Sequence, residues 1–363
     1  MKKSTLALAV AAALTGFGTV AQADTTLYGS ARVSVDWVDT DKPNGPFEDG
    51  EDYWDVRNNS SRLGVRGLED LGGGLSAIYQ YEFGVDMTEG GSFEANRPKW
   101  VGLKGGFGSV TLGTQWSAYY NVTGIADIFN SNRSFASDTG YLGGQYGARL
   151  NNTVLYTSPD MSGFKAQAML VMNGNTADTK TPDVSDSVDL WQVAANYSNG
   201  PIYAGAAYMQ LQDADDDVFS GDDRSQWALV GAYKPGPFTV GLMYEQGDLN
   251  NISLSPLVDA IPLTNIDDTW NIYLFGAYTF GNNEIKAAYG YMETEGDYVL
   301  DAANARRQSY GEIQNLLLSY QYNLSKRTRV WVEYLGRKDD NDGVVSAVEG
   351  DQNVISIGTR HDF

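Results

Sequence analysis

The sequence predicts an all-β protein: sixteen antiparallel strands closed into one barrel that spans a membrane. Three observations predict it. Apolar and polar residues alternate along successive segments, short and long connections alternate between those segments, and the chain opens on a stretch built for export.

The alternation is clear at the start of the chain. Leu27, Gly29, Ala31, Val33, Val35 and Trp37 interleave with Tyr28, Ser30, Arg32, Ser34 and Asp36. Phe238, Val240, Leu242 and Tyr244 repeat the pattern, as do Trp270 to Phe280, Ile285 to Tyr291, Leu316 to Tyr322 and Val330 to Tyr334. A pleated strand sends alternate side chains to opposite faces, so each run has one apolar and one mixed face. A soluble sandwich or propeller would pack more Leu, Ile and Phe on its buried face, and no blade repeat is visible. Lipid outside and water inside suit the pattern better.

The connections give the strand number. Short junctions rich in Gly, Pro or Asn fall at 70–74, 105–108, 158–163, 198–201, 235–237, 281–283 and 323–326. Long, mostly acidic ones fall near 39–52, 87–95, 116–148, 174–187, 212–223, 248–267, 295–309 and 338–351. Seven short turns and eight long loops, strictly alternating, join sixteen strands. Spans of ~9–11 residues cross a bilayer as tilted strands. Tyr or Trp ends many of the stripes (Trp37, Tyr81, Tyr197, Tyr233, Tyr244, Tyr291, Tyr322), where amphipathic rings settle at a membrane–water interface. Closure removes the open edges that so large a sheet would otherwise present.

Export is read from the first residues. Lys2 and Lys3 precede an apolar run at 6–14, and Ala21-Gln22-Ala23 is a small-x-small cleavage site. This predicts a signal peptide over 1–23 and a barrel over 24–363. The apolar run is short for a membrane-spanning helix, which needs roughly 20 residues, and no second one follows.

Composition excludes several functions. A net charge of −21 argues against nucleic acid as a partner. With no cysteine and one histidine, His361 near the end of the last strand, neither a zinc site nor a Ser-His-Asp triad has its residues. No glycine-rich loop introduces a helix, and no cofactor is expected. Acidic loops at 213–217, 222–223 and 339–342 read as solvated charge, with divalent bridging to lipopolysaccharide as their functional alternative.

Short motifs in order carry a resemblance. These are Tyr28-Gly29; Ser61-Arg62-Leu63-Gly64-Val65-Arg66-Gly67 before Glu69-Asp70-Leu71-Gly72; Val101-Gly102-Leu103-Lys104; Gly106-Phe107-Gly108; Leu112-Gly113; and the terminal Gly358 to Phe363. Over essentially the whole exported chain, the sequence resembles the general diffusion porins of Gram-negative bacteria. The resemblance implies a homotrimer in the outer membrane, in contact with lipid and lipopolysaccharide, that passes ions and small hydrophilic solutes. It implies that the third long loop, 116–148, folds into the pore. It also implies a constriction in which wall arginines face loop carboxylates. Arg62, Arg97 and Arg149 match three wall positions. Arg32 lies two residues from a fourth, where this chain has Ser30, and Asp127 matches a loop carboxylate. Phe363 resembles the family's terminal signal to the barrel-assembly machinery. One departure is that Asn130, Ser131 and Arg133 occupy the loop tip where a second carboxylate is usual, with Asp138 as a candidate substitute.

Parity places Arg32, Arg62, Arg66, Arg97 and Lys99 opposite the lipid-facing stripes, and places Trp331, Tyr208 and Tyr273 in the lumen. A bland reading accompanies this: some arginines pair with Glu82, Asp36 or Glu333 and stiffen the wall. Small outward residues Gly29, Ala31, Gly67, Ala77 and Gly102 support close packing between barrels. The acidic mouth weighs toward weak cation preference. A plugged structural barrel or adhesin, a solute-specific channel and an outer-membrane enzyme are the competing readings. The last is disfavoured by the lone His361, and a sugar channel would need a file of lumen aromatics.

Overall fold

A computed structural model describes residues 23–40, 52–90, 93, 97–131, 148–172, 188–212, 224–247, 264–299, 306–341 and 351–363. The export signal lies outside them apart from Ala23, as do Arg133, Asp138, the acidic stretches 213–217 and 222–223, and the side chains of 339–342.

The strands are β1 (Ala23–Thr40), β2 (Tyr53–Asn58), β3 (Arg62–Gly72), β4 (Leu75–Gly84), β5 (Lys99–Gly105), β6 (Gly108–Trp116), β7 (Arg149–Thr157), β8 (Phe164–Val171) and β9 (Leu190–Asn199). They continue as β10 (Ile202–Leu211), β11 (Arg224–Tyr233), β12 (Phe238–Gly247), β13 (Thr264–Phe280), β14 (Asn283–Val299), β15 (Arg306–Asn323), β16 (Thr328–Asn341) and β17 (Gln352–Asp362). A short helix α1 (Ala118–Thr123) and a 3₁₀ turn (Gly124–Ala126) follow β6. Apart from β2 and β3, which lie end to end along β1, each strand pairs antiparallel with its chain neighbours, and β1 pairs with β17 from Ser30↔Asp362 to Thr40↔Gln352, which closes the sheet.

The closed barrel has sixteen strands because β2 and β3 are halves of one. The first half of β1 pairs with β3 (Ala23↔Glu69 to Ser30↔Arg62), the second with β2 (Val33↔Asn58 to Val38↔Tyr53). Between those registers, Asn59, Ser60 and Ser61 stand opposite Ala31 and Arg32. This one-residue bulge puts Ser60 at a φ of 63°.

Alternation fixes the faces. Leu229, Val240, Leu242, Leu274, Leu316, Leu318, Val332 and Ile357 are exposed on the outer face, while Ala228, Val230, Met243, Tyr273, Leu317, Glu333 and Ser356 are buried on the inner one. At the long-loop end a row of rings runs across six outer strands. Trp191 meets Tyr208 and Trp227 meets Tyr244, both at 5.3 Å between centroids; Tyr244 meets Trp270 at 6.3 Å and Trp270 meets Tyr291 at 5.2 Å. This is the interface belt expected of an outer-membrane barrel.

Three parity assignments are corrected. Tyr208 packs against Trp191 on the outer face, since Ala207, Met209 and Leu211 are the buried set of β10. Gly102 faces inward, because Val101 and Leu103 are the exposed residues of β5. Lys99 shares their parity and lies 5.0 Å over the Phe83 ring. In both strands apolar residues occupy both parities, so alternation has no sign to read. Trp331 and Tyr273 are buried on the inner face as expected. The small-residue face is also less open than its sequence suggests, since the Phe363 ring covers Gly29 and the Tyr79 ring covers Gly67.

Of the loop at 116–148, residues 117–131 are described. Ser117 caps α1 by accepting from the Tyr120 amide. Tyr119, Val122, Ala126 and Phe129 belong to one apolar cluster with Met169, Leu190, Met209, Val230, Met243, Tyr273 and Phe275. These wall residues sit on the inner faces of β8 to β13. A lumen read from sequence as polar thus carries an apolar seat for α1.

Candidate functional site

The bulge in the second strand aims the first arginine. On β2 the exposed residues are Trp54 and Val56, so odd positions face inward, whereas Arg62 and Gly64 of β3 face inward at even ones. One extra residue reverses the parity and brings Arg62 to the inner wall. Hydrogen bonds hold the bulge around Arg32: its carbonyl accepts from the Asn59 amide (2.9 Å) and the Ser61 hydroxyl (3.0 Å), and its amide donates to Ser61 Oγ (2.8 Å).

Glu82 organises the next group. It lies 3.8 Å from Arg62 Nε and 3.6 Å from Arg97 Nη1, and accepts from the Tyr28 hydroxyl at 2.9 Å. Arg97 is only 4% exposed and also donates to the Ser60 carbonyl at 3.0 Å. Pairing of Arg62 and Arg97 with Glu82 is therefore real, and Arg97 clamps the bulge to the neighbouring strand. The anticipated partnership of an arginine with Glu333 is replaced by another: Glu333 accepts from the backbone amides of Asn130 (2.9 Å) and Ser131 (2.8 Å) and from Ser319.

Arg149 opens β7 directly across from Trp116 and lies 4.8 Å over its ring. Trp116 stacks on Tyr120 at 4.6 Å and 16°. The Tyr120 hydroxyl donates to Asp127 at 2.9 Å. Arg149, Trp116, Tyr120 and Asp127 thus form one column at the base of the loop. Burial and the Asp127 carboxylate push the Tyr120 phenol up, so it stays a hydrogen-bond donor. The Asp127 side chain is open to water but ringed by barrel wall. That surrounding protein raises its carboxyl above the ordinary range, opposed by the Tyr120 hydrogen bond and the charge of Arg32.

The site thus joins Arg32, Arg62 and Asp127, links Arg149 to Asp127 through two rings, and sets Arg97 behind Arg62. Inner-wall cations that the sequence reading passed over include Arg329 and Arg360, besides Arg57, Lys286 and Arg337; strand parity around Val330 and Ile357 points Arg329 and Arg360 inward. Phe363 lies apart, at the seam: its amide donates to the Gly29 carbonyl at 3.1 Å and its carbonyl accepts from the Gly29 amide at 3.0 Å.

Comparison with known proteins agrees with this architecture. A family model described as Gram-negative porin matches residues 7–343. Outer membrane porin protein 32 of Delftia acidovorans is 30% identical over 397 residues, covering 100% of both chains. Major outer membrane protein P.IB of Neisseria gonorrhoeae is 25% identical over 348 residues, covering 92% of each. Among solved structures, an anion-selective porin from Comamonas acidovorans is similar with a TM-score of 0.69 at 23% identity, covering 94% of this chain and 100% of that one. OmpF of Salmonella typhi in complex with daunomycin gives 0.67 at 19% identity, covering 93% and 97%.

Proposed function

This chain belongs to the Gram-negative porin family, an outer-membrane β-barrel channel for passive diffusion, and from that premise we propose that Arg32, Arg62 and Asp127 form its charged constriction. The carrying observation is the placement of opposite charges inside one barrel: Arg32 and Arg62 lie on the inner wall, and the Tyr120 hydroxyl fixes Asp127 at 2.9 Å on the loop after β6, where the charge of Arg32 opposes the rise of its carboxyl. The described part of the third long loop, residues 117–131, narrows the channel, and its hydrogen bonds to β9, β10, β12 and β16 support that reading. Arg149 acts through the aromatic column, and Arg97 through the clamp on Glu82. The channel passes ions and small hydrophilic solutes and performs no catalysis.

A passing ion comes within about one Debye length, ~8 Å at physiological salt, of these groups, so their potential is incompletely screened. Replacing Arg32 and Arg62 together by Gln is expected to move the reversal potential in a salt gradient toward cations. Asp127→Asn is expected to move it less, toward anions. The acidic mouth still favours cations, and these variants isolate the wall's contribution. An unchanged potential in a double variant that conducts normally would remove both arginines from the constriction.

The remaining assignments follow from family membership: export by a signal at 1–23, delivery to the barrel-assembly machinery through the terminal strand, lipopolysaccharide around the acidic loops, and assembly as a homotrimer. Outward apolar residues on the first two strands, Leu27, Val35, Trp54 and Val56, are 45–72% exposed in the single chain and offer a surface for neighbouring barrels. Unheated detergent electrophoresis is expected to show a species three times the chain's mass; a monomer alone would refute the trimer.

A further inference from the structure

Four arginines lie side by side on the inner wall. Cross-strand register sets Arg329 of β16 opposite Arg360 of β17, and Arg360 opposite Arg32 of β1. Arg62 on β3 stands one place along, opposite Ser30. Like charges directly abreast in an antiparallel sheet repel, and such pairs are normally avoided. The charges of Arg62, Arg360 and Arg329 act on Arg32, and those of Arg329 and Arg62 act on Arg360.

Two wall carboxylates stand against these four arginines, Glu82 at 3.8 Å from Arg62 and Asp362 among the other three, and leave an excess of positive charge. Asp362 accepts from Arg360 Nε at 2.8 and 2.9 Å and from Arg329 Nη2 at 3.0 Å. Ser30, its cross-strand partner, accepts from Arg32 Nε at 2.9 Å. Arg32 and Arg360 are therefore held alike: each Nε is tied to the residue two places away on the periplasmic side. Neither terminal fork of these two guanidiniums is consumed by those bonds. The side chains of Arg329 and Arg360 remain 24% and 20% exposed.

We propose that Arg329, Arg360 and Arg32 form a transit-binding site for small multivalent oxyanions of the sulfate or phosphate type. This site rests on the channel reading above and adds two residues of the last two strands to it. Planar guanidinium forks donate two hydrogen bonds at once to a tetrahedral oxyanion, which a monatomic anion cannot exploit. Abreast, with Arg32 and Arg360 anchored at Nε and Arg329 held through Nη2 alone, the guanidiniums are pre-organised to hand such an anion along the wall. Asp362 and Ser30 position them and do not themselves bind it.

The test is single-channel recording of the full chain in potassium chloride with added potassium sulfate at constant ionic strength. The wild type is expected to show saturable reduction of the chloride current by millimolar sulfate. Arg329→Gln and Arg360→Gln should each weaken that effect tenfold or more. Arg360→Lys keeps the charge and loses the fork, so it should keep the chloride reversal potential and lose the sulfate effect. A current that declines without saturation, equally in wild type and Arg329→Gln, overturns the site and leaves the channel standing. Full sulfate sensitivity in Arg360→Lys would reduce the row to unspecific positive charge. A wild-type barrel that does not conduct overturns the channel and the site together.

Discussion

Deleting Phe363 is expected to leave most of the protein unassembled, with surface levels down at least tenfold. The residue closes the last strand on the first. Two backbone hydrogen bonds join it to Gly29, and its ring lies where a Gly29 side chain would be: a Cβ there would come 2.3 Å from the ring and 2.9 Å from the Arg62 carbonyl. Each backbone bond contributes roughly 0.5–1.5 kcal/mol net. The half-exposed ring adds about 1 kcal/mol of apolar burial. A seam weakened by about 2–4 kcal/mol at its final residue leaves Gly29 unpaired on that side and the end of the seam open to fraying, which is the hazard of an open edge. Gly29→Val should reproduce part of the defect by displacing the ring, even with Phe363 present. Fractionation and heat-modifiable electrophoresis report assembly. Normal surface levels of the deletion would show that Gln352–Asp362 closes the barrel without its terminal residue.

The barrel was readable because closure, strand number and orientation all follow from two simple periodicities, alternate residues and alternate connections. Reading failed where a strand is apolar on both faces. Around Tyr208, and between Lys99 and Leu103, the pattern has no polar side to mark the water, so the inner face was assigned wrongly. The bulge at Asn59, Ser60 and Ser61 was invisible for another reason: no glycine or proline marks it, and Ser60 adopts positive φ because the surrounding hydrogen bonds hold it there. Within the candidate site, single residues at family positions were legible and their partnerships were not. Arg97 has the right place in the chain, yet its depth behind Arg62 depends on Glu82 and Ser60, which lie on different segments. Arg329 and Arg360 belong to strands whose register must be known before they become neighbours of Arg32. The apolar seat of α1 was missed because the inner face of such a barrel is expected to be polar, and only the packing of Tyr119 and Val122 explains Met169, Met209 and Met243 there.

Glu333 should prove the residue that keeps the channel quiet. It accepts four hydrogen bonds, from the amides of Asn130 (2.9 Å) and Ser131 (2.8 Å), from Asn130 Nδ2 (3.1 Å) and from Ser319 Oγ (3.0 Å). Three of them come from the loop, on a strand distant from β6 in the chain. Hydrogen bonds to a charged group contribute about 1.5–3 kcal/mol each, though not additively. Glu333→Ala removes the acceptor and leaves two buried amides unsatisfied, enough to release residues 130–131 from β16. The base of the loop should stay in place, since Tyr119 still donates to Glu245 at 2.8 Å and Tyr203 to the Val122 carbonyl at 2.8 Å. Barrel assembly should therefore be near normal, while single-channel records change from one steady level to fluctuation among several, with a higher mean conductance. Glu333→Gln keeps the shape but turns an amide nitrogen toward one of the donors, so an intermediate degree of noise is expected. Glu245→Gln, at the anchored end, serves as the contrast: it should disturb the helix and shift the mean level more than it adds fluctuation. A Glu333→Ala channel with the steady level and conductance of the wild type would mean that the loop tip is held by contacts other than this carboxylate, and that its bonds to β16 do not set the width of the path.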